Sequence, residues 1–308
     1  MEFYNWKEHR CAFEQLPGDG EAALLLIHPI GVGLSSEYWR PFIQQWQARE
    51  TSSPIYNLDL LGCGQSDMPQ RALTPQDWAE QVAYFIEKIA TGPVVLVVQG
   101  ALLPVAVEVM AEVMATRAAE KVVGMVLSGP PAWRLMTTPT APWKQRLAWG
   151  LLASPLGNLF YRYARREKFL RSFSERQLFE QPKDVDDRWL AMLAEGSKDM
   201  DSRYAVFSFL AGFWRQDYAA KIALIQQPVL IVMGENASTI DRTTAKQVER
   251  QVEESETVEQ ASRKRLQDYL DHFPRAQGVS VSGRNVMPYE ATDDFVRAIA
   301  PFVSNLSD

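Results

Sequence analysis

The fold is decided by the stretch Val94-Val95-Leu96-Val97-Val98-Gln99-Gly100-Ala101-Leu102-Leu103. Its first half is a β-branched run with the length and composition of a fully buried strand. Its second half continues as an apolar helix that we expect to extend from Ala101 to about residue 119. A strand that passes through a single glycine into a helix is typical of a parallel α/β sheet, so we predict a central strand over residues 93–98.

The overall composition is that of an ordinary water-soluble globular chain. Its 308 residues are 46% hydrophobic and 23% charged, with a net charge of −6. The acidic balance argues against nucleic acid as a partner. Two widely spaced cysteines predict neither a disulfide framework nor a metal site, and we expect no cofactor. The first residues lack the features of a signal peptide, and no apolar run reaches the roughly 18 residues of a membrane span. We therefore expect a cytoplasmic protein, with peripheral membrane association left open.

Strand and helix patterns alternate along most of the chain, which predicts a doubly wound, mostly parallel central sheet flanked by helices. Thr74 followed by Pro75 marks a helix start, because threonine is a good N-cap and proline suits the first helical position. The predicted strands are residues 7–15, 22–27, 55–60, 93–98, 122–127, 228–233 and 279–281. The other predicted helices are residues 36–47, 101–119 and 293–303.

Two segments interrupt this alternation. Residues 133–217 show helical patterns without a good strand, which predicts a helical cap inserted into a core of residues 1–132 and 218–308. Within this cap, residues 143–176 carry eight Lys and Arg against two Glu, with aromatic residues interleaved. That segment is either a solvated face with aromatic packing beneath it or a patch facing an anion or a protein partner. Residues 242–267 are polar and acidic and predict an exposed helix or loop without chemistry.

Three further motifs carry a resemblance to a known superfamily. Leu26-Ile27-His28-Pro29-Ile30-Gly31 follows one predicted strand, Asp59-Leu60-Leu61-Gly62-Cys63-Gly64-Gln65-Ser66-Asp67 follows the next, and Pro228-Val229-Leu230-Ile231-Val232-Met233-Gly234-Glu235 forms a late strand. In this order, with a cap before the last, they resemble the α/β-hydrolase superfamily over nearly the whole chain. The sequence His-Pro-Ile-Gly-Val-Gly-Leu-Ser of residues 28–35 is similar to a segment of hydrolase-like proteins of cyanobacteria and plastids. The resemblance implies the α/β-hydrolase fold and an oxyanion hole near the His28 turn.

The positions that carry catalysis in this superfamily are substituted. The nucleophile belongs on a strained turn with the pattern G-x-S-x-G, and here Gly100 takes the serine position between Val98 and Leu102. By the same resemblance, the acid position is Ala237. The base position falls on Arg284, which Asn285 follows. A serine hydrolase needs all three groups, so we predict a degenerate triad with no catalytic residue. The three histidines, His9, His28 and His272, lie outside the base position, and we interpret them as structural.

The same site would bind a ligand without transforming it. We expect the Arg284 guanidinium to be buried here, where it must be paired with either a carboxylate of the chain or an anionic ligand headgroup. Cap aromatics, among them Trp143, Trp149 and Phe213, would either roof an apolar pocket or belong to the core. The candidate ligand-binding residues are His28, Ile30, Gly100, Ala101, Leu102, Trp133, Trp214, Arg284 and Asn285.

Two classes of function remain open from the sequence. The first is a non-hydrolytic protein on a hydrolase scaffold that binds an apolar or amphipathic small molecule or serves as an assembly or interaction factor. A protein partner would then bind the basic, aromatic cap. The second is a hydrolase or lyase of unconventional mechanism that uses Cys63, Arg284 or Asn285 in the same pocket. Cys63 is its natural nucleophile, although no histidine in the motif position would activate it.

Overall fold

The architecture is described from a computed structural model and covers residues 1–49, 53–114, 120–238 and 257–306. Eight strands form one sheet in the spatial order β1-β2-β4-β3-β5-β6-β7-β8. Strand β2 is antiparallel to both of its neighbours, and the six strands from β4 to β8 run parallel. The strands are β1 Glu2–Trp6, β2 His9–Leu16, β3 Ala23–Ile27, β4 Ile55–Leu58, β5 Val94–Gln99, β6 Val122–Ser128, β7 Val229–Gly234 and β8 Ala276–Val281. The predicted mostly parallel α/β sheet is confirmed, with β5 between β3 and β6.

Both faces of the sheet are buried, which explains why β5 is apolar without alternation. Val94, Leu96 and Val98 pack on one face, beneath α2 (Pro75–Lys88) and α3 (Leu103–Met114). The intervening valines pack on the other face, beneath α1 (Arg40–Gln47) and α13 (Thr292–Ser304).

Helix α2 begins where its sequence predicts. The Thr74 side chain accepts a hydrogen bond from the Asp77 N–H, and the Asp77 carboxylate accepts one from the Thr74 N–H. This capping box satisfies two of the N–H groups that a helix start leaves without partners.

Between β6 and β7 the chain forms helices joined by turns and short irregular segments, and residues 129–228 contain no strand. The helices of this helical insertion are α4 Trp133–Thr137, α5 Pro142–Leu152, α6 Pro155–Ala164, α7 Glu167–Phe173, α8 Asp187–Gly196, α9 Arg203–Leu210 and α10 Ala219–Ile222. A π-helical turn, Ser174–Leu178, follows α7. The remaining helices are α11 Val258–Leu270 and α12 Met287–Glu290. Across the described ranges, no helix combines the length and the hydropathy needed to cross a bilayer.

Two expectations about local structure change. The first predicted strand, residues 7–15, is the second arm of a hairpin whose first arm is β1, and the turn between them contains Lys7 at φ 52°. In the acidic segment, residues 258–267 lie in α11, and residues 242–256 lie outside the described residues.

Candidate functional site

The turn after β5, where the family resemblance leads us to expect a nucleophile elbow, contains a left-handed glycine. Gly100 has φ +60° and begins the short 3₁₀ turn Gly100–Leu102 that leads into α3. Non-glycine residues rarely adopt this left-handed conformation, and the strained turn of a serine hydrolase is one of the exceptions. Apart from the adjoining residues, no heavy atom of the described residues lies within 4 Å of the point where a Cβ on Gly100 would stand. Within this part of the chain, the space that a side chain at position 100 would occupy is therefore open.

The loops that follow β5, β7 and β8 meet beside this turn. The Gln99 side-chain amide donates to the Asn285 carbonyl (2.7 Å), and the Ser238 N–H donates to the Asn285 Oδ1 atom (3.2 Å). Ala237, next to Ser238, is buried. The structure thus brings the chain neighbours of Gly100 and Ala237 into contact with Asn285, across more than 180 residues of sequence. Ala237 supplies no carboxylate to this meeting point.

The Asn285 side chain has its hydrogen-bonding groups occupied by the protein itself. Its Nδ2 atom donates to the Gln177 carbonyl (2.7 Å) and to the Ser238 hydroxyl (3.2 Å). Its Oδ1 atom accepts from the Ser238 N–H, as described above. Asn285 therefore ties three segments together, and its amide is not free to act on a ligand.

Residues 284 and 285 also bind the end of the π-helical turn in the helical insertion. The Arg284 guanidinium donates to the Arg176 carbonyl (2.8 Å), and the Asn285 N–H donates to the Leu178 carbonyl (3.1 Å). With the Gln177 bond, three successive carbonyls of Ser174–Leu178 are held by two residues. A π-helical turn is a local departure from α-helical bonding. We call this set of three carbonyls and two residues the latch.

The Glu290 carboxylate stabilises the latch by accepting hydrogen bonds from the backbone around it. Glu290 accepts backbone N–H groups from Glu180 (2.8 Å), Arg284 (2.6 Å) and Val286 (3.3 Å). Burial raises the pKa of Glu290, and these hydrogen bonds oppose that rise. Glu180 in turn accepts the Gly283 N–H (3.2 Å). The loop after β8 is thereby fixed to the insertion by side chains as well as by its own backbone.

The expected partner of Arg284 is corrected by this arrangement. We expected a buried guanidinium paired with a carboxylate or an anionic ligand. The residue is instead partly exposed, and among the described residues its side-chain partner is the Arg176 carbonyl. Because water still solvates the charge, no ion pair is required.

His28 is buried in the turn that resembles an oxyanion hole. Its Nε2 atom accepts the Leu60 N–H (3.1 Å), which leaves the proton on Nδ1, and Nδ1 donates to the Pro29 carbonyl (2.9 Å). Burial lowers the pKa of His28, so the ring is neutral. Both nitrogens support the backbone, and neither is available to a ligand.

Cys63, the alternative nucleophile, lies in surroundings that do not favour reaction, and the other two histidines contact neighbouring side chains. The Cys63 thiol is buried, and burial raises its pKa, with the nearby Asp59 carboxylate adding to the effect. A reactive thiolate needs the opposite environment. The His9 Nδ1 atom lies 4.0 Å from an oxygen of the Asp67 carboxylate, and His9 belongs to β2, near one edge of the sheet. The His272 ring stacks on Trp133, with centroids 4.0 Å apart.

The tryptophans proposed to roof a pocket differ in their surroundings. Trp133 packs between His272 and Tyr269 of α11, and Trp214 is buried and stacked on Phe209 with centroids 5.1 Å apart. Both belong to the main core or lie against it. Trp149 contacts Phe213 and Tyr204, whereas Trp143 is exposed.

The remaining candidates are backbone or apolar neighbours of the elbow. Ile30 and Leu102 are buried, and Ala101 is partly exposed directly after Gly100. Two surface grooves are evident elsewhere, one of about 500 Å³ between α1 and α13 and one of about 340 Å³ between α5, α6 and α9. Neither groove is lined by Gly100, Ala237 or Asn285.

Sequence reasoning missed several polar residues of the site. Gln99, Ser238 and Gln177 form its hydrogen-bonded framework, yet none belongs to a family motif. Gln99 carried a usable signal, since it is the one polar residue at the end of an apolar strand. Its Oε1 atom is buried without a partner in the described part of the chain, and so is the Oγ atom of Ser128, its register partner on β6.

Comparison with known proteins gives a consistent family. Residues 24–298 match the family model described as the alpha/beta hydrolase family. No curated protein matches the chain closely enough in sequence to count as a relative.

Solved structures resemble the protein over nearly its whole length. A thermophilic esterase from Thermogutta terrifontis has a TM-score of 0.68 at 15% identity, with 97% of this chain and 95% of that one covered. An enol-lactonase from Burkholderia xenovorans has a TM-score of 0.69 at 12% identity (98% and 100% covered). A haloalkane dehalogenase from Agrobacterium tumefaciens has a TM-score of 0.68 at 12% identity (98% and 96% covered). At these identities the likeness shows a shared fold.

Proposed function

Because this chain belongs to the alpha/beta hydrolase family, we propose that it is a non-hydrolytic member that acts by binding an apolar or amphipathic ligand, or as an interaction factor. The observation that carries the proposal is Gly100. The elbow keeps its left-handed backbone and its open space, and it has no nucleophile.

The surroundings of the elbow support this proposal. Acyl transfer by a triad needs a base within hydrogen-bond reach of the nucleophile and an acid that orients the base. Ala237 has no acidic group. At the predicted base position the Arg284 guanidinium donates to the Arg176 carbonyl, and the neighbouring Asn285 amide is bonded to Ser238 and Gln177. Cys63, the alternative nucleophile, is buried with a raised pKa.

The ligand class follows from the residues next to the empty position. Val98, Leu102 and Ile30 are apolar and carry no charge that would select a polar substrate. The proposed ligand is therefore a small apolar or amphipathic molecule whose apolar part lies over Gly100. We also propose that residues 133–217 act as a cap over a core of residues 1–132 and 218–308, with the latch holding the cap in place.

The finer relationship belongs to the same proposal. The amino-acid sequence of residues 28–35 supports a relationship with hydrolase-like proteins of cyanobacteria and plastids. The two cysteines are both unpaired and buried, which suits the reducing environment of a cytoplasmic protein.

The first experiment asks whether the purified protein has esterase activity. Wild-type protein and Gly100→Ser are incubated with a short acyl ester and with a fluorophosphonate probe, beside an active esterase as positive control. We expect no turnover and no labelling in either protein, because a serine without a base remains a poor nucleophile near neutral pH. Wild-type turnover that Asn285→Ala abolishes would refute the proposal and support a hydrolase or lyase of unconventional mechanism.

The second experiment asks whether the elbow binds a ligand. An environment-sensitive apolar anionic dye is titrated into wild-type protein, Gly100→Asn and Gly92→Asn. Asparagine tolerates the left-handed backbone and fills the open space, so Gly100→Asn should weaken binding several-fold. Gly92, before β5 at its opposite end, also has room for a side chain, since the nearest atom to its Cβ position is the Glu21 carbonyl at 3.9 Å, and it serves as the control. Equal affinity in all three proteins would contradict ligand binding at the elbow.

A further inference from the structure

Helices α5 and α6 expose an apolar surface that their packing does not require. On α5, Trp143, Leu147 and Leu151 recur every four residues and therefore lie on one face. On α6, the exposed apolar residues are Leu156, Leu159, Phe160 and Tyr163. The exposed fractions of these seven residues range from 41% to 68%.

The inward side of α6 already has its own partners. Tyr161 is fully buried, with its ring 5.8 Å from that of Phe207 and its hydroxyl 2.7 Å from that of Ser202. Gly157 is also buried, and a Cβ there would overlap the Leu152 carbonyl, so α6 packs tightly against the end of α5. The outward apolar residues are therefore not needed for the packing of α6 against the rest of the protein.

The two exposed faces are continuous. A groove of about 340 Å³ between the helices is lined by residues of both, among them Leu151, Leu156 and Phe160, together with Leu210 of α9. Exposed contiguous apolar surface of this kind marks an interaction site on a water-soluble protein. We call the outward faces of α5 and α6 the apolar ridge.

Basic residues surround the apolar ridge. Lys144 and Arg146 are exposed on opposite sides of the α5 face, as the 100° spacing of helix positions places them. Arg162, Arg166 and Lys168 are exposed on or directly after α6, and Glu167 is the one acidic residue from 142 to 168. This local positive charge stands out on a chain whose net charge is −6.

From this arrangement we propose that the apolar ridge docks on an anionic lipid surface. Amphipathic helices that bind the membrane interface combine apolar residues on one face with flanking Lys and Arg. Aromatic residues suit the headgroup region, and here cations accompany two of them, Lys144 over Trp143 and Arg166 near Tyr163. A second copy of the chain is a poorer occupant, because its own basic flanks would repel these. The proposal does not depend on what the Gly100 elbow does.

The test is co-sedimentation of the full-length protein with lipid vesicles. Wild-type protein is mixed with vesicles of equimolar phosphatidylcholine and phosphatidylglycerol, and separately with phosphatidylcholine alone. We expect binding to the anionic vesicles that weakens as salt is added, since each basic residue near an anionic surface contributes about fivefold. Absence of binding to anionic vesicles at low salt would overturn the proposal.

Matched variants separate the apolar ridge from the rest of the surface. Leu147→Asp with Leu159→Asp should weaken vesicle binding by more than about tenfold, because two exposed leucines that would enter the lipid interface become charged. Leu224→Asp changes an equally exposed leucine outside the ridge (64% exposed) and should bind as wild type does. Arg146→Gln with Arg162→Gln should cost about 25-fold at low salt, and Arg263→Gln on α11 should cost nothing.

The same variants distinguish the other occupants. If sedimentation velocity shows a wild-type dimer that the Leu147 and Leu159 changes dissociate, the ridge is a self-association surface and the lipid proposal is wrong. Equal vesicle binding by the leucine variants and wild type would also refute it.

Discussion

Alanine at Gly100 and at Gly33 tests whether the space above the elbow is open. Both glycines have left-handed backbones, with φ values of 60° and 78°, so alanine strains the chain similarly at either site. That strain is about 1–2 kcal/mol, offset in part by the lower entropy of the unfolded chain. Among the residues that the structure describes, none beyond the chain neighbours of Gly100 has an atom within 4 Å of its new Cβ, whereas at Gly33 the Cβ would overlap the Leu193 backbone carbonyl.

The two substitutions should therefore differ in cost. We expect Gly100→Ala to lower the free energy of unfolding by about 1 kcal/mol. We expect Gly33→Ala to lower it by about 3 kcal/mol, because displacing a packed backbone adds roughly 1–3 kcal/mol. The measurement is urea unfolding followed by tryptophan fluorescence, with equal slopes confirming comparable transitions. Equal costs at the two sites would refute the open space above Gly100 and, with it, the argument for a vacant elbow.

Three further predictions concern the latch and two buried groups. Asn285→Ala should lower the free energy of unfolding by about 2–3 kcal/mol and speed amide exchange in residues 174–178, whereas Arg284→Ala, which removes one partly exposed bond, should cost under about 1 kcal/mol. Cys63 should resist iodoacetamide in the native protein. The pKa of Cys63 is raised in the folded protein, so its thiol ionises at lower pH in the unfolded chain. The free energy of unfolding should therefore fall as pH rises past about 9. Cys63→Ala should reduce the slope of this fall by about 1.4 kcal/mol per pH unit. Lys221→Met should cost about 2 kcal/mol in urea unfolding, because it leaves the buried Glu108 carboxylate, now bonded at 2.5 and 2.7 Å, without its cation. A loss below about 0.5 kcal/mol, the size of a surface-pair contribution, would contradict this reasoning.

Local patterns predicted the sheet well because they are properties of short segments. The β-branched run of β5 and the Thr74 cap each encode one element without reference to distant residues. Strand β1 was not predicted, because its local sequence pattern is weak. Its hairpin turn contains Lys7, and it lacks the Gly, Asn or Asp that usually marks such a turn.

Gly100 could be singled out from the sequence, whereas the hydrogen bonds around it could not. It departs from a known sequence pattern, and in the structure it lies in the left-handed turn after β5. The latch has no such signature, because its acceptors are the backbone carbonyls of residues 176–178, which every residue type possesses. The charge of the α5–α6 segment was visible in composition. The outward orientation of Trp143 and Leu147 could not be predicted from the segment alone, because it depends on which distant residues the inward side of α5 packs against.

The latch also bears on how such a chain could change over evolutionary time. A histidine at position 284, the predicted base position, would lose the bond that Arg284 makes to the Arg176 carbonyl. It would also have to fit beside Asn285, whose bonds to Gln177 and Ser238 fix the loop after β8. Such a change gains no activity unless residues 100 and 237 change as well, because a triad needs all three groups. A loop that binds the helical insertion so closely therefore resists conversion to a catalytic loop by single substitutions.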